Sequence, residues 1–399
     1  MKTYTSVPAA LRGLRALALA TFAAAALVVG CGGVGSGGTG GFASGPITGF
    51  GSVFVSGVRF DDSSAEVEDG DGARRSRDEL RLGMTVEVDS SAITAGTSGT
   101  NVSAATANRI RFESELSGLV GAVDLAGGSF TLLGQRVTVD DSTVFDDRYA
   151  NGLASLATGQ PVEVYAVFDP AAQRYRATRV EPAALALGLR LRGPVAQLDT
   201  AAQTLRVGTV SYSYAGASGV PTGLGSGQFV RLRLEADLLP TPRWVVKSFG
   251  TALRPLPDAE GVKVEGLISA YTSAASFSVG GRLVDASGMG GMGGGMLAVG
   301  VRVEVEGTLR GGLLRATSVV IKSDVDVHDR GFDLIGAITA VNTAQGSFVV
   351  RGVTVNTGRS DLRYEDGTAA QLVVGRNVEM RGLLSADRRG VDATRIRFR

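Results

Sequence analysis

The sequence predicts an all-β protein: a tandem array of five small OB-like antiparallel β-barrels behind a cleaved lipoprotein signal peptide. Three observations lead there. A phrase made of Gly, two variable residues and an alternating strand recurs five times, at Gly83–Val88, Gly159–Val164, Gly227–Leu232, Gly300–Val305 and Gly375–Met380. Its interval is about 70 residues, and self-similarity at fixed spacing is the signature of a repeat architecture. Short stretches of alternating apolar and polar residues, broken by Gly, Pro, Asn and Asp, surround each phrase and read as half-buried strands joined by turns. Finally, the first thirty residues differ in kind from everything that follows.

Residues 1–30 read as a lipoprotein signal peptide. Lys2, Arg12 and Arg15 form a positive start, and Ala16 to Val29 is an uncharged apolar run. That run is shorter than the ~20 residues needed to span a bilayer. It closes on Val28-Val29-Gly30-Cys31, a lipobox whose Cys is the only thiol in the chain. Cys31 is therefore the expected lipidation site. Several acyl chains on one residue give stable anchoring, which a single chain does not. Gly32 follows Cys31, and the absence of Asp there points to the outer membrane of a Gram-negative envelope. Residues 31–45 are so rich in Gly that they read as a flexible tether, reaching roughly 20 Å.

Five β repeats follow: 46–115, 116–183, 187–255, 260–323 and 331–399. The last shows the pattern best. Leu334 to Val341 reads as its first strand, with Gly336 marking a bulge or bend. Asn342 to Gly346 turns, and Ser347 to Arg351 is the second strand. Gly352 permits a sharp reversal into Val353–Asn356. A polar connector follows, in which Ala369 to Leu372 suits one helical turn. Val378–Leu383 and Val391–Phe398 then form a closing hairpin. Three strands, a connector and a hairpin is the order of a five-stranded OB-type barrel. Barrel closure also removes exposed strand edges. Glu181–Ala184 and Arg254–Pro257 read as linkers, the second an extended, fairly stiff spacer. Repeats one and two abut at Ser114-Glu115.

These residues resemble an uncharacterised bacterial family, domain of unknown function 5666. The resemblance lies in the opening Pro46–Phe60, in the recurring strand phrase, and in the endings Ala177-Thr178-Arg179-Val180, Ala316-Thr317-Ser318-Val319 and Ala393-Thr394-Arg395-Ile396. It covers roughly 46–399 and is weakest in the third repeat, where Arg231 stands in place of Glu. It implies tandem β modules on exported lipoproteins and carries no catalytic residues over.

Composition narrows the function. Forty basic residues against 39 acidic ones argue against a nucleic-acid partner. One His and one Cys exclude thiolate zinc sites and multi-His sites within the chain. No nucleophile elbow, phosphate loop or dinucleotide fingerprint is present. The paired acids Asp140-Asp141 and Asp146-Asp147 offer a carboxylate-dependent hydrolase as one alternative, although Asp is favoured in turns for its own hydrogen bonding. Metal binding is another. Met289, Met292 and Met296 on a Gly loop have the soft sulfur that selects Cu(I), and Asp324, Asp326 and His328 have donors for a divalent cation. Both fit a loop insertion and a charged linker as well. The run Glu68–Gly72 lacks calcium-loop spacing and reads as a solvated turn. Glu87, Glu163, Glu304 and Glu379 recur at one strand position, where Arg on the neighbouring last strand (Arg179, Arg395) can pair with them. Aromatic residues are 6% of the chain, few for a sugar-binding platform, and Trp244 reads as a core or edge anchor. The expectation is a non-enzymatic envelope lipoprotein without a cofactor, held to the membrane by its N-terminal lipid and binding an envelope protein or glycan.

Overall fold

In the computed structural model, residues 40–96, 102–184, 188–236, 244–289, 296–322 and 331–399 are described. Among them there is no α-helix, only strands and short 3-10 turns. The signal peptide, Cys31, Met292, Asp324, Asp326 and His328 lie outside the described residues.

Each repeat folds as the alternation of its residues dictates. The first contains β1 (Gly41–Phe50), β2 (Val53–Val55), β3 (Val58–Asp61), β4 (Glu66–Asp69), β5 (Arg74–Arg75), β6 (Thr85–Ser90) and β7 (Ser103–Phe112). The second contains β8 (Leu116–Asp124), β9 (Ser129–Leu132), β10 (Gln135–Thr138), β11 (Val144–Phe145), β12 (Pro161–Asp169) and β13 (Arg174–Pro182). The third contains β14 (Leu189–Asp199), β15 (Thr204–Val207), β16 (Val210–Ser213), β17 (Phe229–Ala236) and β18 (Trp244–Gly250). The fourth contains β19 (Ala259–Ser273), β20 (Ser276–Val279), β21 (Arg282–Asp285), β22 (Arg302–Arg310) and β23 (Leu313–Ile321). The fifth contains β24 (Phe332–Asn342), β25 (Ser347–Val350), β26 (Val353–Asn356), β27 (Arg363–Glu365), β28 (Asn377–Leu384) and β29 (Val391–Phe398).

Pairing closes each set into a small barrel. In the second, β8 pairs with β9, β9 with β10, β10 runs parallel to β13, β13 pairs with β12, and β12 returns to β8. The same ring forms in the first through β1, β2, β3, β7 and β6. It forms again through β14, β15, β16, β18 and β17. The fourth closes through β19, β20, β21, β23 and β22, and the fifth through β24, β25, β26, β29 and β28. Inward positions are apolar: Val378, Met380 and Ile396 are fully buried, while Glu379 and Arg381 point outward. In the fifth barrel the register shifts fall between Ile338 and Ala340 and between Arg381 and Gly382, and Gly336 keeps its register with Val378.

The barrels are not beads on a string. They pack into one compact unit. Barrels one and five share a hydrophobic core, and barrels two and three share another. The expected spacer at Arg254–Pro257 is docked instead: Leu256 is buried in the core of barrel four and Arg254 inserts among the acids of barrel one. A barrel of this size leaves much apolar surface uncovered, so burying a linker Leu is favourable.

The tether is also shorter than its Gly content suggests. Gly41 to Ser44 are paired on both sides, antiparallel to β6 and parallel to β19. Further along, Gly49 and Phe50 pair in parallel with β24. Gly is required here by close approach rather than for flexibility. A Cβ on Gly41 would come within 2.6 Å of the Ser91 carbonyl oxygen and 2.7 Å of Ser90 Oγ. Phe42 and Ala43 supply the anchoring side chains. Phe42 is 2% exposed within the core of barrel four. Phe42→Ala should cost about 3–5 kcal/mol, read as a lower urea midpoint of the full chain. An unchanged midpoint would remove β1 from the core.

Candidate functional site

Strand β1 brings barrels one, four and five together, and β8 pairs with β14 to join barrels two and three. Where four of the barrels meet there is a cavity of about 150 Å³, lined among others by Glu87, Glu115, Phe168, Arg192, Phe229 and Arg254. A second cavity of about 90 Å³ shares its Pro46, Val167, Glu265, Gly266 and Leu267 wall. The walls are mixed: apolar strand faces with charged groups between them.

Charged pairs also cross between barrels, and in most of them barrel one and its exit supply the carboxylate and a later barrel the arginine. Asp62 holds Arg351 of barrel five at 3.2 Å. Glu87 holds Arg282 of barrel four at 2.5 Å. Asp89 holds the docked linker's Arg254 at 2.9 Å. Asp71 holds Arg231 and Arg233 of barrel three at 2.9 and 2.8 Å, and Arg231 also pairs with Glu113. Glu115 holds Arg192 of barrel three at 3.2 Å. Arg231 is 7% exposed, so its departure from the repeat pattern has a structural reason: Glu at this position would face Glu113 and Asp71.

Glu113, Ser114 and Glu115 link β7 to β8 at this junction. Glu115 accepts hydrogen bonds from the Ala166 backbone N–H (2.9 Å) and from Thr85 Oγ1 (3.3 Å). Burial pushes its pKa up to about 7, against the pull of Arg192. Glu113 is raised too, by burial first, with Arg231, Arg192 and Arg190 opposing. Ser114 Oγ donates to Glu163 at 3.1 Å, and Arg190 of barrel three also reaches Glu163, at 3.2 Å. Glu163 faces Glu181 across the β12–β13 ladder. Burial, and then the hydrogen-bonded Glu181 carboxylate, raise Glu163 to about 7. This pair lines a cleft of about 260 Å³ together with Tyr165, Asp146 and Arg148. A like-charged carboxylate beside a buried one favours its neutral form, and here the raised group is Glu163. The two carboxyls are closer than the ~5 Å or more that glycoside hydrolysis requires. Arg190 and Ser114 both bind Glu163 Oε2, and Arg179 binds Glu181 Oε2.

The recurring glutamates therefore divide. Glu379 does pair across its own barrel, with Arg395 at 3.7 Å and with Arg399. Glu87 and Glu163 instead reach into neighbouring barrels, and Glu304 takes Lys263 at 3.2 Å and Lys322 at 3.3 Å. Arg179 lies opposite Tyr165, not Glu163, and binds Glu181 at 2.5 Å. The paired acids behave as turn residues. Asp140 Oδ1 accepts from the Ser142 N–H (2.9 Å), and Asp146 Oδ1 from the Arg148 N–H (3.1 Å). Asp141 reaches Arg388 of barrel five at 2.9 Å. In the Glu68–Gly72 run, Asp69 Oδ1 accepts the Asp71 and Ala73 N–H groups. Of the methionines, Met289 packs against the core of barrel four and Met296 is exposed. No group of three or more His, Cys, Asp or Glu suited to a metal occurs among the described residues. Trp244 packs at the edge of the core of barrels two and three.

The family model for Domain of unknown function (DUF5666) matches residues 117–181, 265–320 and 335–397. Over these three stretches the chain is similar to that family. The three matches fall on barrels two, four and five, and each DUF5666 segment runs from the first strand to the last. No curated protein matches the sequence. Among solved structures, "drosophila Unr CSD456" is similar at 13% identity and a TM-score of 0.15, covering 52% of this chain and 97% of that one. No helix among the described residues is long and apolar enough to cross a membrane.

The inter-barrel arginines escaped the sequence reading because their partners lie far away in the chain. A signal was nonetheless present in the charge distribution. Residues 46–115 hold seven basic and twelve acidic side chains, and residues 187–255 hold eight basic and three acidic.

Two predictions follow from burial. Arg231→Ala leaves Glu113 buried without its partner and should cost about 3–5 kcal/mol, whereas Arg399→Ala at the exposed Glu379 pair should cost less than about 1 kcal/mol; urea midpoints compare them. Glu115 and Glu163 carry folded-state pKa values above their ordinary 4.5. Their contribution is complete below pH 4.5 and is lost as pH rises to about 7, by up to about 3 kcal/mol each. Thermal melts from pH 5 to 8 should show that fall, and Glu115→Gln should flatten it.

Proposed function

We propose that this protein is a membrane-anchored envelope lipoprotein, a non-enzymatic binding or scaffold protein built from five OB-type barrels in tandem. The domains proposed are a signal peptide at 1–30 and β repeats at 46–115, 116–183, 187–255, 260–323 and 331–399. In this reading Cys31 carries the lipid and the outer membrane is the destination. The observation that supports it best is the docking of the repeats around the first. Charged side chains are spent on holding barrels together, which suits a rigid presenting body. The ring order of every barrel favours the OB assignment, in which loops at the barrel mouth meet ligands. The partner would be an envelope protein or glycan.

The alternatives have less support. A carboxylate-dependent hydrolase would use Glu163 and Glu181, of which Glu163 Oε2 is already bound by Arg190 and Ser114 and Glu181 Oε2 by Arg179. For a metal carrier, Met289 would have to leave its packed position against barrel four.

The deciding experiment begins with the N-terminus. Wild type should appear in the membrane fraction with an acylated Cys31 by mass spectrometry, and Cys31→Ala should move to the soluble fraction. An unmodified, soluble wild type would overturn the anchoring. Capture from envelope extracts with the mature protein should return a specific partner; an empty capture together with turnover in a hydrolase screen would overturn the binding role.

A further inference from the structure

We propose that the outer edge of β23 in barrel four is a docking site for an extended, apolar strand of a partner polypeptide, which adds in parallel along residues 318–321. The other barrels show what this edge is for. In barrel one, β4 lies parallel to the end of β7, with Glu66 opposite Arg109 and Val67 opposite Ile110. In barrel two, β11 lies on β13, with Val144 opposite Arg179 and Phe145 opposite Val180. In barrel five, β27 lies on β29, with Arg363 opposite Arg395 and Tyr364 opposite Ile396. Barrel three makes one parallel bridge there, between Ser218 and Ser248. Each contact starts at the residue beside the bulge of the last hairpin, and Ser318, opposite Glu306, holds that place in barrel four. Among the described residues no strand lies on β23 there, and its parallel pairing with β21 ends at Arg315.

The backbone of this edge is set out for pairing. The Lys322 N–H donates to the Arg302 carbonyl of β22 at 2.9 Å. Backbone groups alternate sides along a strand. Val320 and Ser318 therefore also face β22, and the N–H and C=O of Val319 and Ile321 face outward. The equivalent carbonyl in barrel two, that of Val180, accepts the Asp146 N–H just past β11 at 3.0 Å. An open row of such groups is a template for a further strand. The side chains record the same difference. Ile110, Val180 and Ile396 are fully buried, whereas Val319 is half-buried; Ile321 is 37% exposed where Phe112 and Phe398 are buried.

The sibling barrels also specify the occupant. Val67, Phe145 and Tyr364 each lay an apolar side chain opposite the inward Ile or Val, so the occupant carries an apolar residue opposite Val319. The next position differs. Arg111 and Arg397 stand there in barrels one and five and pair with Glu68 and Glu365 of the added strand, at 2.6 and 3.0 Å. Barrel four has Val320, 44% exposed, so its occupant carries a second apolar residue in place of Glu. By position in the repeat, the chain's own counterpart of β4, β11 and β27 falls within residues 290–295, which are five glycines and Met292. Glycine is disfavoured in strands and brings no side chain to Val319, so the strand comes from another polypeptide. This site deepens the binding role proposed above and rests on it for the source of the strand. The edge itself stands whether or not Cys31 carries lipid.

Amide-resolved hydrogen exchange on the full chain in detergent tests this, with the blocked peptide Lys-Thr-Ser-Phe-Val-Thr-Lys as probe, its Phe and Val meant for the places opposite Val319 and Val320. In the free protein the Val319 and Ile321 amides should exchange close to the unprotected rate, while those of Val320 and Lys322 stay protected. Saturating peptide should slow the first two by about tenfold. Ile321→Pro removes an outward N–H and no bond to β22, and proline is tolerated on a sheet edge; it should abolish the peptide's effect at a urea midpoint close to wild type. Val320→Arg, an exposed change that copies Arg111 and Arg397, should switch the preference to a peptide with Glu in place of Val, and it decides alone should Ile321→Pro not fold. Val319 and Ile321 amides already protected in the free protein would mean that the chain's own residues cover the edge. Protection that grows with protein concentration alone would mean a second copy there. Either result overturns the proposal, as does a peptide that leaves both amides unchanged, a folded Ile321→Pro that still responds, or a Val320→Arg that keeps the wild-type preference. None of these readouts involves acylation or envelope extracts, so this site and the anchored binding role can fail separately.

Discussion

A barrel of about 70 residues cannot bury enough apolar surface to be comfortably stable alone. That constraint governs the structure. Each repeat closes its strands into a ring, and each ring then leans on others for the rest of its burial. Barrels one and five merge their interiors, barrels two and three do likewise, and barrel four takes Phe42 from the first strand and Leu256 from the linker. Among the described residues the strands form two continuous networks, one of 18 strands and one of 11.

Apolar contact alone would not choose which barrels meet, because five related rings offer five similar faces. Charge makes the choice. Carboxylates of barrel one select arginines 282, 351, 231 and 192 from three different repeats. Buried ion pairs of this kind add little net stability but punish mispairing severely, since an unpartnered charge left inside is costly. The divergence of the repeats then has a physical meaning. Glu163 and Arg231 fill equivalent strand positions, yet Glu163 accepts Arg190 while Arg231 reaches Asp71 and Glu113.

Much of each barrel could be read from sequence. Strands Val353–Asn356 and Val391–Phe398 lie where alternation and flanking turns place them, and the turn at Ala369–Gln371 is a 3-10 turn of the expected size. These features depend on local chemistry, so a local reading finds them. The docking does not. Arg231 and Asp71 are 160 residues apart in the chain, and nothing near either names the other. Gly41–Ser44 misled for a related reason. Glycine looks flexible in isolation, but between two strands it is the residue that lets backbones approach.

That same entry strand bears on mechanical load. A pull on the segment before Gly41 acts along β1, parallel to the ladders it forms with β6 and β19. Force applied this way strains every rung at once, as in shear, instead of opening them one after another from an end. The first and fourth barrels would resist such tension jointly, through the backbone hydrogen bonds of both ladders.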